Sequence, residues 1–137
     1  AILSYKFRTY DKVIKRRREI AKIYQERLST IEQLKLPPAP IENSDNYDVY
    51  QNYELLANSR DELKIHLSKK NIGTLIQWGG KGIHHFTNLG FNQVLPNTDE
   101  FFKNCIMLPM NMFISDSDLD YVCETIINFY NNNKKGI

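Results

Sequence analysis

The chain has 137 residues, of which 42% are hydrophobic and 25% charged. That is one ordinary domain of average composition, which excludes a disordered or fibrous chain. No apolar run approaches the ~18 residues that span a membrane. No secretory signal is visible, and the net charge of +2 hides a basic start. Residues 1–27 carry nine Lys/Arg against three acids, whereas the remainder is mildly acidic.

The elements follow in chain order. Residues 1–34 read as one long helix with an apolar stripe of Leu3, Phe7, Tyr10, Ile14, Ala21, Tyr24, Leu28 and Ile31. It ends before Leu36-Pro37-Pro38-Ala39-Pro40, which cannot continue it. Such a helix, around 45 to 50 Å long, outruns a domain of this size, so part of its stripe should face another domain or subunit. There is no initiator Met, and the helical pattern is already running at Leu3, so the chain reads as a piece of something longer. Residues 41–46 read as a polar turn and Tyr47–Ala57 as a strand. Ser59-Arg60-Asp61-Glu62 reads as a capping box opening a helix that stops near Asn71. Thr74–Trp78 reads as a second strand, followed by the glycine-rich turn Gly79-Gly80-Lys81-Gly82 and then Ile83-His84-His85-Phe86. A short helix over Thr98–Asn104 precedes a third strand, Cys105–Met110. Ser115–Asp118 caps a last helix with the stripe Leu119, Val122, Ile126 and Phe129, and Asn131–Lys135 reads as a polar tail. The expected fold class is α/β (α+β): a small sheet of about three or more strands flanked by helices.

Three constellations bear on chemistry. Lys15-Arg16-Arg17-Arg18 has the clustered cations that neutralise phosphate, but the same charges serve as a solvated helix face. The glycine-rich turn after a strand offers backbone amides to a phosphate, although the GxxxxGK[ST] spacing is absent; a loop that needs positive φ explains it equally. His84 and His85, with Lys81 and Trp78, form the densest reactive cluster. Adjacent histidines on a strand point to opposite faces, and no Cys, Asp or Glu lies nearby in sequence at ligand spacing, so no metal is expected. The two cysteines, Cys105 and Cys123, make no CxxC pair and suit a reducing compartment.

In order along nearly the whole chain, several pieces resemble one family. They are Arg16-Arg17-Arg18-Glu19-Ile20-Ala21 with Tyr24 and Leu28; Tyr47-Asp48-Val49-Tyr50; Ser59-Arg60-Asp61-Glu62-Leu63; Asn71-Ile72-Gly73-Thr74; Leu89-Gly90-Phe91; Leu95-Pro96-Asn97-Thr98-Asp99; and Met107-Leu108-Pro109-Met110. Together they resemble the C-terminal small domain of the DegT/DnrJ/StrS pyridoxal-phosphate-dependent sugar aminotransferases, which have fold type I. The resemblance implies that residues 1–34 link the two domains and that 35–137 form the small-domain body. It implies transfer of an amino group, usually from glutamate, to a keto sugar nucleotide, with pyridoxal 5'-phosphate held by the N-terminal domain, in a cytoplasmic homodimer. Lipopolysaccharide or O-antigen synthesis is an implied setting. On this reading the piece alone is inactive and holds no catalytic or cofactor-binding residue. In the family a loop of the small domain faces the substrate. Here it matches Gln77 to His84, so Gln77, Trp78, Lys81 and His84 are the implied substrate-binding residues. Trp78 would wall the sugar, Lys81 would meet pyrophosphate and His84 a sugar hydroxyl. The alternative is a stand-alone α/β module docking nucleic acid or an acidic partner through its basic helix. Neither nucleic acid nor membrane is a partner on the leading reading.

Overall fold

The computed structural model describes residues 2–42 and 45–134. Two helices lead: α1, Ile2–Phe7, and α2, Tyr10–Leu28. The strands β1, Leu34–Lys35, and β2, Tyr53–Ala57, follow, and then helix α3, Arg60–Lys69. Three short 3-10 turns occupy Gln77–Gly80, Ile83–His85 and Thr87–Leu89. The chain closes with α4, Pro96–Asn104; β3, Cys105–Leu108; and α5, Asp116–Lys134.

The sheet has the order β1-β2-β3 and is antiparallel throughout. Leu34 stands opposite Ala57, and Tyr53, Glu54, Leu55 and Leu56 stand opposite Leu108, Met107, Ile106 and Cys105. Because side chains alternate along a strand, Tyr53, Leu55 and Ala57 share one face with Ile106 and Leu108. That face meets Ile20, Ala21, Tyr24 and Leu28 of α2, Leu63 and Leu67 of α3, and Leu119, Cys123 and Ile126 of α5 in one core. Two buried tyrosines tie it to the backbone through their polar tips. The Tyr24 hydroxyl donates to Pro109 O at 2.7 Å and the Tyr130 hydroxyl to Asn58 O at 2.8 Å. The other sheet face carries Glu54, Leu56, Cys105 and Met107, and α4 and the 77–80 turn lie against it. The mixed α/β architecture agrees with the expected fold class.

Several expected boundaries are corrected. The helix expected over 1–34 is broken at Arg8–Thr9 and ends at Leu28. Thr9 has φ −120°, its hydroxyl donates to Lys6 O at 3.3 Å, and α1 buries no residue that would hold the axis straight. Beyond Leu28 the chain turns, and Leu34 pairs with Ala57 instead. The strand expected from Tyr47 starts only at Tyr53. Asp48 Oδ1 accepts the Tyr50 N–H at 2.7 Å, and Tyr50 has φ 48°, which no strand allows. Ser59 is left-handed and makes no side-chain cap, so the capping box there is absent. The strand expected over Thr74–Trp78 reduces to one bridge, Leu75 to Met107. Helix α4 begins two residues earlier than expected, with Pro96 in its first turn, where the missing N–H costs nothing. The capping box at the last helix is present: Asp118 N–H donates to Ser115 Oγ at 3.1 Å, and Ser115 N–H to Asp118 Oδ2 at 3.3 Å. Helix α5 runs on through Lys134, over most of the expected polar tail. Lys135 of that tail, and Asn43 and Ser44 of the 41–46 turn, lie outside the described residues.

Candidate functional site

The 77–85 segment is built by the sheet edge at one end and α4 at the other. Leu75 exchanges two backbone bonds with Met107, and Ile76 is extended. Then Trp78, Gly79 and Gly80 all take positive φ, 51°, 65° and 74°, so the chain makes a left-handed turn. A Cβ on Gly80 would rest on Ile76 Cγ2 and Phe102 O. One on Gly82 would stand 2.5 Å from His84 Cε1, so only glycine allows that approach. The turn leaves Gln77 half-buried and Lys81 exposed, and Trp78, the sole tryptophan, 77% exposed. Trp78 and Lys81 therefore stand on open surface.

His84 lies behind that surface and is only 6% exposed. Its Nε2 is 2.6 Å from Asp99 Oδ1, and His85 Nε2 is 2.7 Å from the same oxygen. The Gly82 N–H donates to His85 Nδ1 at 3.1 Å. That nitrogen is therefore the acceptor, and in neutral His85 the proton sits on Nε2 and is donated to Asp99. The Asp99 carboxyl is held below its ordinary value, first by the His84 hydrogen bond, against an opposing effect of burial, with His85 adding a lesser lowering.

Two expectations about the histidines change. Residues 83–85 form a 3-10 turn rather than a strand, so both rings can reach one point. A carboxylate does lie within reach: one ligand atom from each of His84, His85 and Asp99 lies within 4.8 Å of the others. Sequence reasoning missed Asp99 because α4 brings it from beyond an irregular stretch, with no spacing signal. The 77–85 segment thus brings Gln77, Trp78 and Lys81 near the surface and sets His84 against Asp99.

The basic helix is differently committed. Arg16 Nη2 donates to Ile114 O at 2.7 Å and Asp116 Oδ1 at 2.8 Å. Arg18 is buried on Asp48 O, Ile41 O and Glu42. Arg27 pairs with Asp120 at 2.6 Å and with Glu124. A cavity of about 680 Å³ beside α2, lined partly by Lys15, Arg18, Glu19 and Tyr47, mixes both signs of charge.

The DegT/DnrJ/EryC1/StrS aminotransferase family matches residues 1–127, which is most of the chain. The chain belongs to that family. A curated relative from Geobacillus stearothermophilus, named pleiotropic regulatory protein, is 30% identical over 135 residues, covering 95% of this chain and 36% of the relative. The chain therefore spans about a third of that relative's length. A DegT DnrJ EryC1 StrS aminotransferase from Brucella abortus superposes with TM-score 0.81 at 25% identity, over 93% of this chain and 34% of that one. DesV from S. venezuelae, solved in complex with a ketimine intermediate, superposes with TM-score 0.84 over 94% of this chain and 35% of that one. At 21% identity DesV speaks for the fold alone.

The family's pyridoxal phosphate needs a lysine enclosed beside the ring. Every lysine from Lys6 to Lys103 is exposed in this chain. By themselves the described residues therefore enclose no lysine for the covalent end of a pyridoxal phosphate site. No helix among them is long and apolar enough to cross a membrane.

Proposed function

We propose that the chain is the C-terminal small domain of a pyridoxal-phosphate-dependent aminotransferase acting on a keto sugar nucleotide. The exposed α1, Ile2–Phe7, leads in from the large domain, whereas α2 packs into the small-domain body. Glutamate gives the amino group and leaves as 2-oxoglutarate, and the keto sugar becomes an amino sugar for a surface polysaccharide such as lipopolysaccharide or O-antigen. The cofactor sits in the large domain, the enzyme works as a cytoplasmic homodimer, and the 137-residue chain alone is inert.

The observation that carries this reading is the family match over residues 1–127. The loop geometry supports the roles. Trp78 offers an apolar wall, and Lys81 a cation to the pyrophosphate from an open face that a second domain would close. Gln77 borders that face. His84, behind the loop, holds the turn and meets the sugar only at its edge. Docking of nucleic acid has less support, because Arg16, Arg18 and Arg27 already bond within the chain.

The full-length enzyme, given glutamate and a panel of dTDP-, UDP- and GDP-linked keto sugars, should release 2-oxoglutarate with at least one of them. Lys81→Ala should raise KM for that sugar nucleotide about tenfold and leave kcat nearly unchanged, as loss of a contact made equally in ground and transition states does. No transfer to any keto sugar nucleotide would defeat the function. An unchanged KM would defeat the role of Lys81.

A further inference from the structure

Among the described residues, the side-chain hydrogen bonds of segment 78–90 join Gly82 to His85, His84 to Asp99, and His85 to Asp99. Two of them end on one carboxylate oxygen in the first turn of α4, and the third ties the loop backbone to one of those two histidines. We propose that Asp99 is the positioning residue of the substrate loop: by accepting from both histidines it sets where Trp78 and Lys81 stand.

Backbone bonds shape the turn itself, Gly79 N–H to Ile76 O and Lys81 N–H to Trp78 O, and Leu75 ties its start to Met107; the histidines tie its far side to α4. The turn at Trp78 is one that a tryptophan seldom adopts unaided, so its surroundings must hold it. Gly80 rests on Phe102 of α4, and Gly82 lies between His84 and the Phe102 ring. Lys81 sits between these two glycines. Glycines have no side chain with which to anchor themselves, so the side-chain anchors of this part of the loop are the ring that Gly82 touches and the ring to which it donates. Both rings end on Asp99. Removing its carboxylate leaves the buried His84 without its partner and frees His85 from α4.

The same three groups could instead bind a divalent metal ion. The polarity is wrong for that. A ligating histidine normally donates from its second nitrogen, whereas the second nitrogen of His85 accepts the Gly82 N–H. Its Nε2 therefore carries a proton where a metal needs a lone pair. The cluster is a hydrogen-bonded latch.

The effect on Trp78 and Lys81 as substrate contacts rests on the function proposed above, whereas the latch itself does not. Amide hydrogen exchange on full-length protein without ligand tests the latch. In Asp99→Ala, peptides over 77–86 should exchange about tenfold faster or more, as a segment freed to open locally does. Peptides over 53–57 and 105–108 should be unchanged. An unchanged loop, or acceleration of the strands as well, would overturn the inference. In steady state, Asp99→Ala should raise KM for the sugar nucleotide about tenfold, the scale of a small misplacement. KM for glutamate and kcat should hold, since glutamate reacts in a separate half-reaction. If kcat/KM falls equally for both substrates, the residue is merely structural and the inference fails. Wild-type protein dialysed against zinc chloride should retain no zinc. One retained zinc per chain, lost in Asp99→Ala, would replace the latch with a metal site. A wild type that aminates no keto sugar defeats the function, while the exchange result still decides the latch.

Discussion

Arg18 shows why a basic run need not be a binding surface. It sits on a helix rich in cations, yet it is 6% exposed and its guanidinium donates to Asp48 O, Ile41 O and Glu42 Oε1 at 2.9 to 3.1 Å. Its carbon lies 4.1 Å from the centroid of the Tyr47 ring. A planar fork makes these contacts together, and an ammonium cannot. Arg18→Lys should therefore cost about 1 to 2 kcal/mol, because a buried ammonium cannot reach all three acceptors at once, and urea unfolding would measure it. The cysteines illustrate the opposite case of chemistry suppressed. Burial pushes the Cys123 thiol up to about 12, although the charge of Arg27 opposes the shift, and burial also raises Cys105. Only the thiolate is nucleophilic. At pH 8 the native protein should resist iodoacetamide at both positions, and intact mass should show two additions after unfolding. Alkylation of native Cys123 would contradict that burial.

At the scale of elements, two serines separate what was legible from what was not. Both precede a helix and are followed by an acid three residues later, so both read as caps. Ser115 caps α5 as expected, whereas Ser59 takes φ 56° and ψ 40° and bonds nothing as a cap. The difference is the path into the helix. β2 runs straight to Ala57 and leaves two residues in which to reverse, which demands a left-handed residue. Ser115→Ala should lose about 1 kcal/mol, as removal of an N-cap does. Ser59→Gly should gain roughly 0.5 to 1 kcal/mol, because glycine escapes the left-handed penalty. Thermal unfolding of the pair would check both signs. The same logic covers the other differences. Periodicity exposed α2, α3 and α5 because each presents a stripe to the core. It could not expose the break at Thr9, where no packing enforces continuity, nor the turn at Trp78, which has the composition of a strand. Of the candidate site, the loop and its exposed Trp78 and Lys81 were readable from residue types. Asp99 was not, because its role depends on a tertiary approach of α4 that no local pattern encodes.

The whole molecule divides its apolar residues unequally. Leu28, Leu63, Leu67, Ile106 and Ile126 are 0% exposed and close a core without help from α1. Ile2, Leu3, Tyr5 and Phe7 of α1 are each at least 75% exposed. An apolar helix that no core residue touches adds little to the cooperative unit and presents a surface that favours association. Deleting residues 1–9 should therefore shift the thermal midpoint of the 137-residue chain by no more than about 3 °C, which corresponds to under ~1 kcal/mol. Leu28→Ala, by contrast, should lower it by roughly 10 °C, since emptying a fully buried leucine site costs 2 to 5 kcal/mol. Sedimentation of the shortened chain should also show less self-association. A large loss of stability on deletion would mean that α1 packs on the core after all, and the boundary of the folded unit would move from Tyr10 back to the start of α1.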